Sequence, residues 1–181
     1  MTEMADNASP DTHALWQVIS ATKLGFEPAL TIPDRLVHPD SWAGHLPFAS
    51  WIVAMTQPRR IVELGVHTGN SFCTFAQAVE KYKLEADCFG IDHWFGDEQA
   101  GLYGEDVYAD LKAWHDPRFG HFSKMLRMSF LDGRSYIEDG SVDLLHIDGL
   151  HTYEAVREDF ETWVPKMSDR CVVLFHDTNV F

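Results

Sequence analysis

The sequence is poor in basic residues, which excludes two classes of partner. Its 181 residues include 14 lysines and arginines against 28 aspartates and glutamates, so the formal net charge is −14 at pH 7. Binding to a nucleic-acid backbone needs clustered lysine and arginine, and attraction to anionic lipid needs a polybasic run. The sequence offers neither, so we expect no nucleic-acid partner and no membrane partner.

Long apolar runs and a signal pattern are missing too. No stretch approaches the roughly 20 apolar residues that span a bilayer, and the start, Met-Thr-Glu-Met-Ala-Asp, lacks a basic-then-apolar signal. Cys73, Cys88 and Cys171 are odd in number and have no C-x-x-C spacing. We interpret them as buried free thiols in a reducing compartment, which predicts a cytoplasmic location.

The composition is that of one folded domain. An apolar content of 45% with 13% aromatics excludes a disordered chain, and the length allows one substantial core. We interpret residues 1–58 as a helical extension that packs on a core domain at 59–181. The extension is predicted to hold a helix at about 13–24, a proline-bearing link, and a second helix from the cap Ser41 to about Met55. The tryptophans interpreted as core residues are Trp16, Trp42 and Trp51.

From residue 59 onward, short apolar runs alternate with helix-compatible segments. The predicted strands are 61–65, 86–92, 124–129, 142–148 and 171–175, and the predicted helices are about 70–82, 105–114, 133–137 and 152–163. This alternation is typical of an α/β fold, a Rossmann-like doubly wound parallel sheet with helices on both faces.

The first of these units carries a glycine motif, Arg60-Ile-Val-Glu-Leu-Gly-Val-His-Thr-Gly-Asn-Ser71. Gly65 allows a tight turn against a ligand, and Gly69 allows the helix to begin close to the strand. Glu63 is an acid within an apolar run, where an unpaired charge would be costly. We therefore expect its side chain to have a partner or a functional role. A dinucleotide fingerprint needs a glycine where this chain has His67, which disfavours a nicotinamide-dependent dehydrogenase.

The pattern Glu-x-Gly-x-x-x-Gly resembles motif I of the class I S-adenosylmethionine (SAM) methyltransferases. In that family the loop lies under the methionine part of the cofactor. An ordinary strand-to-helix turn of another Rossmann-like protein is the alternative. The resemblance implies that SAM is held by these residues of the motif: Glu63, Gly65, Val66, His67, Thr68, Gly69 and Ser71.

Residues after the second and third strands are predicted to bind the adenosine. Asp92 ends its strand where a carboxylate can accept hydrogen bonds from both ribose hydroxyls, and the resemblance supports this role. His93 and Trp94 are then expected near the adenine, with Trp94 stacking on it. Ser129 and Phe130 match the position that flanks the base in the family.

Acids at two further strand ends suggest a metal ion or a bound hydroxyl. Asp148 and Asp177 end neighbouring strands, so both carboxylates could reach one Mg²⁺, or Mn²⁺ if His176 joins them. The alternative is that these acids are helix caps or solvated loop residues. His151 could take a hydroxyl proton, with Asp148 orienting the substrate, or could instead cap the following helix. We expect His146, inside the strand, to point away from the acids and to be structural.

The C-terminal third carries a more specific resemblance. The run VDLLHIDGLHTYEAVREDFETWVPKMSDRCVVLFHDTNV resembles the methyltransferase-24 type of class I methyltransferase and, more distantly, metal-dependent sugar O-methyltransferases and cephalosporin-hydroxylase-like proteins. Those relatives hold a divalent metal with acids that map onto Asp148 and Asp177. Catechol-type enzymes place a lysine base where this chain has His151. The sugar enzymes carry paired acids where this chain has His176 followed by Asp177, which is a departure from their pattern.

The resemblance covers about residues 60–180. It implies SAM-dependent O-methylation of a small hydroxylated molecule such as a sugar, on a sheet of strand order 3-2-1-4-5. A SAM- or nucleotide-binding module without catalysis, attached to a glycosyltransferase, is the alternative. Such a sheet normally has two further strands, so we expect a C-terminally truncated fragment or, failing that, a second copy in a homo-oligomer on the edge of strand five.

Overall fold

The computed structural model describes residues 25–40, 42–97 and 101–178. The predicted helix at 13–24, with Trp16, lies outside these ranges, and so does the predicted cap Ser41. Among the helices within the described ranges, none is both long and apolar enough to cross a membrane.

A five-stranded parallel sheet forms the centre of the domain. Its strands are β1 (Arg60–Leu64), β2 (Asp87–Asp92), β3 (Ser123–Arg127), β4 (Val142–Ile147) and β5 (Met167–Phe175). They pair in the order β3-β2-β1-β4-β5, and every neighbouring pair is parallel. The inner strands β1 and β4 are buried almost throughout, as expected for a sheet covered on both faces. The predicted fold class and strand order are confirmed.

Helices cover both faces of this sheet. They are α1 (Leu46–Thr56), α2 (Asn70–Lys81), α3 (Glu105–Phe119), α4 (Phe130–Gly133) and α5 (Tyr153–Trp163). One apolar cluster joins α1, α2 and α3 to the face that carries Ile61 and Leu144. The other joins α4 and α5 to the face that carries Val62 and Leu145. The polar segment after β2 adds a small ribbon that pairs Gly96–Asp97 with Gly101–Leu102.

Helix α3 is longer than predicted, since it ends at Phe119 and not near residue 114. Leu111, His115 and Phe119 are buried and recur every four residues, so they form one stripe that faces the core. Pro117 lies in the last turn, where its missing N–H removes one hydrogen bond near the end of the helix. The stripe therefore extends the helix past the proline.

Strand β5 also begins earlier than the predicted residue 171. The polar residues at its start have a partner in Asp143 of β4, which accepts a hydrogen bond from Ser168 Oγ at 2.6 Å and lies 3.3 Å from the guanidinium of Arg170. A shift of register between Val142 and Leu144 accommodates the added residues. Within the described residues β5 has a strand on one side only.

The link before α1 is tied across the N-terminus of α2. The Asn70 side chain accepts from the Val37 amide at 3.0 Å and donates to the carbonyls of Val37 and Pro39 at 2.9 and 3.2 Å. Arg35, almost fully buried, donates to the Thr68 carbonyl at 3.0 Å. These contacts place Pro39 and Trp42 at the carboxyl ends of the strands.

Candidate functional site

A cleft of about 1020 Å³ opens at the carboxyl ends of the strands. The turns after all five strands contribute to its wall, at the edge where open α/β sheets bind ligands. Its volume reaches the upper end of the range for small-molecule sites, so it has room for two ligands side by side. The predicted site residues that line it are Gly65, Val66, His67, Thr68, Ser71, Asp92, His93, Ser129, Phe130, Asp148, His151, His176 and Asp177.

The turn after β1 forms the floor of the cleft. Gly65 has φ +88°, and a Cβ there would lie 2.0 Å from the Asp148 carbonyl oxygen. Only glycine therefore allows the turns after β1 and β4 to touch. Gly69, by contrast, does not line the cleft: it has φ +83°, and a Cβ would lie 2.4 Å from the Leu111 side chain. Its predicted cofactor contact is corrected to a packing role.

Glu63 lies beneath the floor and not in the cleft, which corrects its predicted direct contact with the cofactor. Its Oε1 accepts a hydrogen bond from Ser71 Oγ and lies 3.0 Å from His146 Nδ1. Burial raises the pKa of Glu63, against the opposing influence of His146 and Ser71. Glu63 acts on the cleft through Ser71, whose hydroxyl it orients, and through its charge, which contributes to raising the pKa of His176.

The prediction that His146 points away from the acids is wrong. Positions 146 and 148 are two apart, and residues two apart on a strand share a face. The His146 ring is 6.4 Å from the ring of His176, centroid to centroid, and is fully buried. Its Nε2 has no hydrogen-bond partner among the described residues.

Asp92 connects the end of β2 to the turn after β1. Its Oδ2 accepts from the amides of Val66 and His67, each at 2.9 Å, and its Oδ1 accepts from the Trp94 amide at 2.6 Å. A fourth contact, 3.4 Å from the Tyr103 hydroxyl to Oδ2, is the longest of the set. A ligand hydroxyl that reaches Asp92 can replace Tyr103 without disturbing the backbone contacts.

Trp94 cannot stack on a ligand, so that prediction is wrong. Its side chain is fully buried, donates from Nε1 to the His67 carbonyl at 2.9 Å and packs on Tyr108. His93, the preceding residue, is exposed on the cleft wall. Ser129 caps α4 by accepting from the Asp132 amide at 3.1 Å, and this brings Phe130 to the wall.

The other half of the cleft is centred on Asp148. Its Oδ1 lies 3.1 Å from His151 Nε2 and 3.0 Å from His176 Nδ1, and its Oδ2 accepts from Trp42 Nε1 at 2.9 Å. Burial opposes ionisation, but the two imidazoles outweigh it and hold the pKa of Asp148 well below its usual range. Contact with Asp148 in turn raises the pKa of His151. It also raises the pKa of His176 against the opposing effect of burial.

Asp177 lies beside the two imidazoles. Its carboxylate oxygens are 3.3 Å from His151 Nδ1 and 3.4 Å from His176 Nδ1. The alternative that His151 caps α5 is wrong, because Thr152 is the cap residue and accepts from the Ala155 amide at 3.2 Å. His151 is therefore held between two carboxylates at the cleft wall.

Three of these side chains fit a divalent metal ion. One ligand atom from each of Asp148, His151 and His176 lies within 4.8 Å of the others. Around an octahedral ion with bonds of ~2.1 Å, neighbouring ligand atoms are about 3.0 Å apart, which matches both imidazole contacts of Asp148. Moreover, His176 Nδ1 is buried, and it lies 3.0 Å from Asp148 Oδ1 and 3.4 Å from Asp177 Oδ1. This group differs from the predicted set, Asp148, Asp177 and His176, by including His151 in place of Asp177.

Two aromatic residues of the site were among those not indicated by the sequence. Trp42, interpreted as a core residue, donates to Asp148 across 106 positions and stacks on His176 at 5.3 Å. Tyr103 lies in the polar segment after β2, packs on His67 with tilted rings whose centroids are 4.3 Å apart, and lines the cleft. Neither residue belongs to a motif. The one signal in the sequence was that each is an aromatic residue within a polar stretch.

Comparison with known proteins gives a family and a fold. A profile of the methyltransferase-24 family, described as a methyltransferase domain, matches residues 62–178. A curated protein of Sinorhizobium fredii, called uncharacterized protein y4gI, is 51% identical over 140 residues. The match covers 77% of this chain and 15% of that protein, so the chain corresponds to a small part of the relative's length.

Solved structures of the same fold include three methyltransferases. PaMTH1 of Podospora anserina, bound to S-adenosylhomocysteine (SAH), has 16% identity and a TM-score of 0.58, with 93% of this chain and 72% of that chain covered. The TDP-rhamnose 3′-O-methyltransferase CalS11 has 19% identity and a TM-score of 0.58, with coverages of 95% and 80%. TomG of Streptomyces achromogenes, an O-methyltransferase in complex with SAM, has 20% identity and a TM-score of 0.53, with coverages of 88% and 64%.

Proposed function

The chain belongs to the methyltransferase-24 family of methyltransferase domains, and from that premise we propose that it transfers the methyl group of SAM to an oxygen of a small hydroxylated molecule. The observation that carries the proposal is the position of the histidine–aspartate group. Gly65, in the floor of the cleft, touches the backbone of Asp148, whose carboxylate is 3.1 Å from His151 Nε2. A cofactor on this floor presents its methyl group beside a base.

The proposed cofactor position follows the two halves of the cleft. The methionine part lies on the turn after β1, near Val66 and the Ser71 hydroxyl. The ribose hydroxyls bond to Asp92 in place of Tyr103, and the adenine lies against Ser129 and Phe130. The presence of SAH in PaMTH1 and of SAM in TomG, which share this fold, supports this assignment.

The acceptor hydroxyl lies on the side of the cleft formed after β4 and β5. Its oxygen attacks the methyl carbon in line, the carbon–sulfur bond breaks to leave SAH, and the hydroxyl proton passes to His151. Contact with two carboxylates makes His151 a stronger base than a free imidazole, because its pKa is raised. Asp148 holds the ring and stabilises the imidazolium that forms.

A divalent metal ion is a second proposal for the same residues. Asp148, His151 and His176 would hold it, in view of the spacing of their ligand atoms. When bound, the ion would lower the pKa of the acceptor hydroxyl. His151 would then serve as a ligand and could not take the proton.

Calorimetry and methyl transfer test these proposals together. We expect SAH to bind the chain, and labelled SAM to methylate members of a panel of sugars, sugar nucleotides and catechols. Transfer that stops with chelator and returns with Mn²⁺ or Mg²⁺ indicates the metal, whereas transfer that survives chelation indicates His151 as the base. Absence of SAH binding contradicts the proposed function. Binding without any transfer supports the alternative, a non-catalytic SAM-binding module.

The partners and the location of the protein are proposals as well. We propose a small-molecule acceptor and no nucleic-acid or membrane partner, on the basis of the charge balance. The three cysteines, which form no disulfide in the structure, support a cytoplasmic location. For the outer edge of β5 we propose cover by further chain of a longer protein or by a second copy, because its backbone groups would otherwise offer a pairing edge.

A further inference from the structure

Two acidic side chains of the cleft wall, Glu158 and Asp159, have no role in the chemistry proposed above, and of these Glu158 is exposed. Asp159 lies in the middle of α5, lines the cleft and is partly buried. Within the described part of the chain it forms no hydrogen bond and no ion pair, whereas the nearby acid Glu161 on the same helix pairs with Arg157 at 2.7 Å. A carboxylate withdrawn from water without a donor is costly, so a donor supplied by a ligand would stabilise it.

An aromatic ring lies beside Asp159 on the cleft wall. A Cβ on Gly149 would lie 2.7 Å from the Phe130 ring and 3.3 Å from an Asp159 carboxylate oxygen. The missing side chain thus brings the ring, the backbone of the turn after β4 and the carboxylate close together. A side chain at 149 would collide with the Phe130 ring, so only glycine lets the ring and the carboxylate both lie against this turn.

The electrostatic surroundings favour a neutral donor or a cation over an anion. Burial, followed by repulsion from Glu158, raises the pKa of Asp159 to about 6. No lysine or arginine is among the described residues of the cleft wall. At neutral pH the group is therefore an ionised acceptor that the protein leaves without a partner.

We propose that Asp159 accepts a hydrogen bond from the exocyclic amino group of the cofactor's adenine and so selects adenine over bases that carry a carbonyl there. This inference rests on the proposed function. The adenine stacks on the face of Phe130 that lines the cleft, and its amino edge meets Asp159. A carbonyl at the same place would face the carboxylate and be repelled.

The test compares SAH with S-inosylhomocysteine, its deaminated analogue, in which a carbonyl replaces the amino group. Calorimetry at pH 7.5 gives the affinity ratio of the two ligands for the wild type, for Asp159→Asn and for the control Glu154→Gln. The control removes one negative charge from the same helix outside the cleft. We expect the wild type and the control to prefer SAH at least tenfold, and Asp159→Asn to lose most of that preference, because its amide can donate to the carbonyl.

The outcomes separate this inference from the function on which it rests. If the wild type binds SAH and Asp159→Asn keeps the wild-type ratio, this inference is overturned and the proposed function stands. If the wild type binds neither ligand, both are overturned. A thermal melt of each variant shows whether a change of ratio reflects recognition in a folded protein.

Discussion

At the scale of single residues, the site depends on how Asp148 is held. Two imidazoles and one indole surround its carboxylate, and the indole comes from the N-terminal link. Trp42 therefore has two roles, because its ring packs on His176 while its Nε1 orients Asp148. A conservative substitution can separate the two roles.

We predict that Trp42→Phe slows methyl transfer and leaves SAH affinity nearly unchanged. The ring packing is largely kept, while the donor to an ionised acceptor is lost, which costs about 1.5–3 kcal/mol, or roughly 10- to 150-fold in rate. Trp51→Phe is the matched control, since its Nε1 donates at 3.1 Å to the Gly25 carbonyl and not to a residue of the cleft. Equal rates for the two variants would contradict the role of Trp42.

We predict that Asp159→Asn stabilises the ligand-free protein at high pH. The pKa of Asp159 is about 6 in the folded protein, above the ordinary 3.8. The free energy of unfolding therefore falls as pH rises from 3.8 to 6, and the whole loss persists at higher pH. Because Asp159 is partly exposed, we expect only about 1–2 kcal/mol. Urea denaturation at pH 4 and pH 8 measures it, and a difference between variant and wild type that does not grow with pH would refute the explanation.

Residues that end strands were predictable, whereas residues defined by long-range contacts were not. Gly65, Asp92 and Asp148 follow apolar runs, and the parallel topology alone brings them to one edge. Glu63 was misplaced because the sequence shows that a buried acid needs a partner but not which partner it has. His146 is that partner, 83 positions away.

At the scale of elements, the link before α1 behaves as a strap across the start of α2. One buried side chain, Asn70, makes three hydrogen bonds to its backbone, and Asn70 directly follows the loop that forms the floor of the cleft. The strap and the floor should therefore lose order together.

We predict that Asn70→Ala lowers the free energy of unfolding by about 2–4 kcal/mol, since three hydrogen bonds are lost and their backbone partners stay partly buried. SAH affinity should fall as well. Gln77→Ala is the control, because Gln77 bonds the same strap at Ile32 and Asp34 but in exposed positions, and it should cost less than about 1 kcal/mol. Equal losses in urea denaturation for both variants would show that burial of the strap contributes little.

Element bounds were predictable where the burial pattern is simple. Strands β1, β2 and β4 are short apolar runs flanked by polar residues, and their predicted limits are within one residue of those observed. Strand β5 begins at Met167, and its next residues, Ser168, Asp169 and Arg170, resemble a loop until the contacts of Ser168 and Arg170 with Asp143 are known. The end of α3 was mispredicted for a similar reason. Pro117 locally favours an earlier end of the helix, whereas the burial of His115 and Phe119 extends it.

At the scale of the whole molecule, burial decreases from the centre of the sheet toward β5. β1 and β4 are buried almost throughout, whereas the apolar residues of β5, among them Val172 and Val173, are half-buried. Local opening free energies follow the number of buried contacts. We therefore expect β5 to open at lower free energy than the rest of the sheet.

The three cysteines can measure this difference, because Cys88 lies in the centre of the sheet, Cys73 on α2 and Cys171 on β5. Burial raises the pKa of Cys73 to about 12, raises that of Cys88 as well, and raises that of Cys171 to about 11. Cys73 and Cys88 are therefore nearly unreactive until their segments open, whereas Cys171 is partly exposed and less protected. We predict that Cys171 is alkylated at least tenfold faster than Cys88 in the native protein. We also expect SAH to slow the alkylation of Cys88 by the factor that the concentration and dissociation constant of SAH predict.

Time-resolved mass spectrometry of the alkylated peptides measures the three rates, and Cys171→Ser should leave the rates of the other two unchanged. If Cys171 and Cys88 react at one common rate at every urea concentration, β5 opens only when the whole domain unfolds.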